Sequence, residues 1–143
     1  MLAPYSTLSK DIADLQIRRG LDGLTPARIV TLFRRGPLQR EVTDPAAIWK
    51  SYENSTLVLT AWLNGQLVGL ARVLTDGELF SFLCDLVVEP DVQRIGVGKA
   101  MVQAVVEACK GTELMLRDAE ISAGFYQHLG FTRVTNGWAR MCR

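Results

Sequence analysis

Cysteine and histidine are scarce in this chain of 143 residues, which holds three cysteines and one histidine. Cys84, Cys109 and Cys142 stand far apart and are odd in number, so neither a zinc-type pairing nor a disulfide framework is expected. Cys84 and Cys109 lie in apolar runs and read as buried thiols, which suits a reducing cytoplasm. No apolar run approaches the ~20 residues of a membrane helix. The first fifteen residues, MLAPYSTLSKDIADL, lack the basic start and apolar stretch of a secretory signal. A net charge of +1 is too small for a nucleic-acid partner, which calls for a strong basic excess. Low-complexity segments, internal repeats and dividing linkers are also missing. The expectation is one cytoplasmic domain over residues 1–143, with 1–13 as a loose arm.

What is present is an ordinary share of apolar residues, 48%, in two kinds of pattern. Residues 14–19 (DLQIRR) alternate like a short strand. Thr25-Pro26 and Asp44-Pro45 are helix starts. The first opens a helix with Ile29, Leu32 and Phe33 in a stripe; the second carries Ile48, Trp49 and Tyr52. Residues 56–62 and 66–74 read as strands around Asn64-Gly65, a strong hairpin signal. Residues 79–88 (LFSFLCDLVV) make a third, long strand of the meander. Residues 98–109 read as a helix with Met101, Val105 and Ala108 on one face. Residues 113–116 are a strand, 120–129 a helix, and 131–134 and 138–141 two last strands. The sum is an α/β (α+β) domain: a mixed, mostly antiparallel sheet of six to seven strands with about four helices on its faces.

The stretch 87–101, VVEPDVQRIGVGKAM, runs from a strand through two glycines into a helix. It fails as a Walker A loop, because Ala100 follows Gly98-Lys99 and position 93 is Gln93. It fails as a dinucleotide loop, because Met101 stands where the third glycine belongs. It does satisfy Q/R-x-x-G-x-G/A through Gln93, Gly96 and Gly98. Glycines there let successive N–H groups converge on an anion, with the helix N-terminus behind them and Arg94 and Lys99 beside them.

Residues 86–99 (LVVEPDVQRIGVGK) resemble the acetyl-CoA motif of the GNAT superfamily, the GCN5-related N-acetyltransferases. FYQHLGF, residues 125–131, resembles that family's C-terminal signature, and residues 64–77 resemble the hairpin before the motif strand. Short single-domain bacterial members and plant arylalkylamine acetyltransferase-like proteins are the most similar. The resemblance implies a sheet that splays between its fourth and fifth strands, with acetyl-CoA as acetyl donor and no metal. Coenzyme contacts are then expected from Leu86, Val87, Val88, Gln93, Arg94, Ile95, Gly96, Val97, Gly98, Lys99 and Tyr126. The N–H near Val88 would hold the thioester carbonyl, and Tyr126 would give a proton to the departing sulfur. The Asn that many members carry after the fifth strand is absent; here that stretch is Arg117-Asp118-Ala119-Glu120.

The base is left open. Asp85 is the one carboxylate in an apolar strand, and alternation places it with Ser81, Leu83 and Val87 on one face. It either receives the ammonium proton through a water or anchors a cationic substrate, or else makes a structural hydrogen bond to a neighbouring loop or to Arg72. Glu89 and the Arg34–Arg35 pair read as solvated, His128 as a surface residue, and Trp49, Tyr52 and Trp62 as core before pocket. The expected activity is transfer of acetyl to a primary amine of a small molecule by direct attack. A protein or peptide amine is the alternative acceptor. A non-catalytic acyl-CoA sensor is the alternative of another class, disfavoured by the intact Tyr126 and the complete loop. Many members of the family are homodimers, and an exposed last strand could pair across a two-fold axis.

Overall fold

The computed structural model describes residues 12–36, 42–119 and 122–142. Most of the expected N-terminal arm lies outside them. The elements run β1 (Gln16–Arg19), α1 (Pro26–Arg35), α2 (Pro45–Glu53), β2 (Leu57–Leu63), β3 (Gln66–Thr75), β4 (Phe80–Val88), a 3₁₀ turn (Pro90–Ile95), α3 (Val97–Ala108), β5 (Glu113–Leu116) and α4 (Ala123–His128). Both Pro-led helices start as their sequences dictate. The Thr25 hydroxyl accepts from the Arg28 N–H, and the Asp44 carboxylate from the Ala47 N–H.

The strands form one sheet in the order β1-β2-β3-β4-β5. The first three pairings are antiparallel and β4–β5 is parallel. Two cores cover its faces. Met101 and Val105 of α3, with Cys109 at its C-terminal cap, pack on Leu57, Leu59, Val73 and Leu83. On the other face Ile29, Phe33 and Tyr52 of α1 and α2 pack on Val58, Leu70 and Val87. The buried stripe of α3 ends on Cys109 rather than Ala108, which is exposed.

Three expectations change. Arg72 pairs with Asp85 but Val73 with Leu83, so Cys84 is an extra residue, a β-bulge. The bulge breaks the simple alternation: Leu83 turns to the α3 face while Asp85 and Val87 face α1 and α2. The sheet has five strands among the described residues, not six to seven. Residues 131–134 and 138–141 form no ladder, and neither Asn136 nor Gly137 takes the positive φ that a two-residue Asn-Gly hairpin needs. The last helix begins at Ala123 rather than Glu120, a position outside the described residues.

Candidate active site

The anion loop is built by the chain's own stereochemistry. Pro90 opens the 3₁₀ turn, and Gly96 then reverses the chain at φ +97°, a conformation that suits glycine. No atom lies within 4 Å of where a Gly96 side chain would begin, so the space above it is open. The next residue starts α3, twelve residues long, and no side chain caps its first turn. Ala100 donates the first helical bond, to the Gly96 carbonyl at 3.0 Å. The N–H groups of Val97, Gly98 and Lys99 therefore precede the helical ladder, at the positive end of the helix dipole. Arg94 and Lys99 are exposed beside them, while Val97 is buried and offers only its backbone.

Gly98 faces a junction of three elements. A side chain there would begin 3.4 Å from the Phe125 ring and 3.8 Å from Val88 Cγ2. Phe125 of α4, the start of α3 and the end of β4 thus meet at one point. Tyr126 stacks edge-on against Phe125 with ring centroids 5.0 Å apart, and against Phe131 at 5.7 Å. Burial, reinforced by the charge of Asp118, raises the Tyr126 phenol to a pKa of about 12.

The splay lies along β4. Its ladder with β5 runs only from Phe80 to Leu83. Beyond that the outer edge of β4, Cys84–Val88, has no strand beside it among the described residues. Glu89 N–H donates inward to the Val68 carbonyl at 2.7 Å. Backbone direction alternates along a strand, so Leu86 and Val88 present their N–H groups to the open side. The Val88 carbonyl, on that side, accepts from Gln93 Nε2 at 3.0 Å. Gln93 thereby ties the loop to the strand, and the Val87 side chain is buried among α1 and α2.

Asp85 is 2% exposed. Its Oδ2 accepts from Arg72 Nε at 2.6 Å and from the Tyr52 hydroxyl at 3.1 Å. The Arg72 guanidinium also lies 5.5 Å from the Tyr52 ring centroid. Burial works against the Arg72 charge, but the hydrogen bond and charge of Asp85 outweigh it and raise its pKa. The side chains of Tyr52 and Trp62 are buried, and Trp49 packs partly buried against the same cluster, so these aromatics belong to the core.

Glu89, read as solvated, is not. It is 1% exposed and is held by Arg35, whose Nε donates at 2.7 Å. Arg35 also lies 3.6 Å from Asp91. The end of α1 is thus pinned to the turn that opens the anion loop. The only sequence sign was a carboxylate directly after an apolar strand, which is also how a surface loop begins. His128 is exposed at the end of α4.

An αL glycine thus stands at an uncapped helix start, beside a sheet that parts at β4. The sequence model of the Acetyltransferase (GNAT) family matches residues 27–131, and the chain belongs to that family. It is 29% identical to GCN5-related N-acetyltransferase 1, chloroplastic, of Arabidopsis thaliana, over 93% of this chain and 70% of that one. It is also 29% identical to Serotonin N-acetyltransferase 2, chloroplastic, of Oryza sativa subsp. japonica, over 80% of this chain and 60% of that one. Among such relatives the chain covers 27% to 70% of their own length. The fold is that of a GNAT family acetyltransferase of Streptococcus pneumoniae TIGR4, with a TM-score of 0.73 at 21% identity, over 90% of this chain and 98% of that one. No helix among the described residues is long and apolar enough to cross a membrane.

Proposed function

We propose that this chain transfers the acetyl group of acetyl-CoA to a primary amine of a small molecule, by direct attack while both are bound. The observation that carries the proposal is the convergence of the Gly96–Gly98 cradle, the open edge of β4 and the Phe125–Tyr126 pair. Bound there, the thioester supplies the acetyl group and a thiol leaving group.

The remaining work falls to the chain. The N–H groups of residues 97–99 take the pyrophosphate, with Arg94 and Lys99 adding charge. The edge of β4 at Leu86 and Val88 takes the pantetheine arm as an added strand would be taken. The Val88 N–H faces the carbonyl as negative charge grows on its oxygen. Tyr126 gives its proton to the leaving sulfur; a phenol held at about 12 stays protonated far above the thiol's ~8.5. Asp85 already binds Arg72 and Tyr52 through one oxygen, so its proposed part is to position that acceptor-side face rather than to take the proton. The similarity to a serotonin acetyltransferase favours an arylalkylamine over a peptide amine. A reducing compartment, the cytoplasm, suits three free cysteines.

The test is release of free thiol from acetyl-CoA against arylalkylamines, polyamines, aminoglycosides, amino acids and Lys peptides, for wild type and Tyr126→Phe. Turnover with one small amine, cut about 10²-fold or more in the variant at unchanged acetyl-CoA affinity, is the expected result. Acetyl-CoA binding without turnover on any amine would replace the enzyme with a sensor. Turnover confined to Lys peptides would replace the acceptor.

A further inference from the structure

On their face of the sheet, α1 and α2 lie over Val58, Leu70 and Val87, and Arg72 reaches the Tyr52 ring. Alternation along β3 puts Leu74 on the same face as Leu70 and Arg72. Thr75 turns the other way, bonded through Ser81 to Thr112 beyond the end of α3. Phe82 stands between Ser81 and Leu83, which both face the α3 side, so it faces the α1–α2 side. On β5, Leu114 and Leu116 pack on the α3-side core, which turns Met115 to the α1–α2 side. Leu74 pairs with Phe82, and Phe82 with Met115. The three make one row across three strands, about 10 Å wide. They belong to neither core: Leu74 is 46% exposed, and Phe82 and Met115 are only partly buried.

The row has a particular place. The β4–β5 ladder ends at Leu83–Leu116, and Phe82–Met115 is the rung just before it. It is therefore the last rung with side chains on the α1–α2 face before the strands part. The gap that begins beyond Leu83–Leu116, one residue or about 3.3 Å farther on, is the one proposed to take the thioester. Ionisable groups bound the row at its ends. Inward, the Arg72–Asp85 pair closes it with charges that cancel, joined at 2.6 Å. Outward, the exposed Glu113 shares the face of Met115 and pairs with Phe80, itself 44% exposed. Between them lie a phenyl ring, a thioether and a branched alkyl chain, beside the strand that leads into the reaction site. Such side chains recognise an aromatic ring, Phe edge-on or offset and Met through its sulfur.

Resting on the acetyl transfer proposed above, we propose that Leu74, Phe82 and Met115 form the subsite for the body of the acceptor, an aryl group carried on a short alkylamine. The ring lies on Phe82 and Met115, and the alkyl chain carries the nitrogen to the mouth of the gap. Burial of the ring on this row removes apolar surface of both from water. A polyamine or an aminoglycoside would instead lay charged and polar groups on it, at a cost in desolvation. Phe82 and Met115 thus set which amine is taken, while the chemistry stays with the groups at the gap.

Comparison of two amines tests this. The wild type should favour phenethylamine over propylamine in kcat/KM, and the ratio should fall about 10-fold or more in Phe82→Ala and in Met115→Gln. A variant that folds poorly loses both rates alike, so the ratio reports the subsite and not the fold. Leu74→Gln, at a half-exposed position, should lower the ratio in the same direction. Unchanged ratios in all three variants, or a wild type that favours propylamine, would overturn the subsite and leave the transferase standing. Photolabelling of the full chain by an aryl azide of phenethylamine supplies a readout free of turnover. Labels at residues 74, 82 or 115 support the subsite, and labels confined to other residues refute it. Labels on the row in a chain that acetylates no amine would overturn both the transferase and the ring's role as acceptor.

Discussion

Tyr126 is where environment changes a side chain's chemistry most. Burial among Phe125 and Phe131, with Asp118 near, raises its phenol to about 12. A raised folded pKa means that the stability it carries is whole below the unfolded value near ~10, and is lost as pH rises toward 12. The difference in alkaline absorbance titration between wild type and Tyr126→Phe should therefore show one phenol ionising near 12 rather than 10. A difference centred near 10 would remove the argument that burial and Asp118 raise the phenol's pKa. Asp85 yields a prediction of another kind. Arg72→Met leaves its carboxylate buried without the guanidinium, at a cost of about 3–5 kcal/mol read by denaturant unfolding. Asp85→Asn keeps the shape of the group. If Asp85 positions, KM for the amine should rise more than kcat falls; if it takes the proton, kcat should collapse.

At the scale of elements, the loop between β4 and α3 couples backbone geometry to binding. Any side chain at Gly96 meets the strain of φ +97°, and any bulk at Gly98 meets Phe125. Gly98→Glu should lose the thermal stabilisation that acetyl-CoA gives the wild type, about 2.7 kcal/mol at a hundred times Kd. A full thermal shift in Gly98→Glu would move the pyrophosphate elsewhere. The Arg35–Glu89 pair ties α1 to the same loop. Arg35 is half-exposed, so water relieves part of the loss, and Arg35→Ala should cost about 1–3 kcal/mol of stability. It should also weaken acetyl-CoA binding, since the turn from Pro90 to Ile95 loses its anchor. Calorimetry of the variant separates the two effects: folded protein with unchanged affinity would make the pair purely structural.

For the whole molecule, two cores on opposite faces of one sheet divide the work. The α3 side carries the anion loop, and the α1–α2 side carries the buried Tyr52–Asp85–Arg72 cluster beneath the proposed acceptor face. Among the described residues the sheet ends on β5, which is paired only with β4.

The order of elements, both Pro-led helix starts, the Asn64-Gly65 hairpin and the anion loop were legible in the residues, because each rests on local stereochemistry. The αL turn needs glycine at position 96 whatever surrounds it, and Thr25 and Asp44 cap their own helices. Partnership across the chain was not legible. Glu89 looks like a loop residue until Arg35, fifty-four positions away, is folded against it. The bulge at Cys84, which sends Asp85 to the Tyr52 side, exists only in the register of β3 against β4. Residues 131–142 carry strand and turn signals as good as those used elsewhere, yet a strand forms only where an edge receives it. That edge belongs to the tertiary structure, because ladder hydrogen bonds are made between segments and not within them.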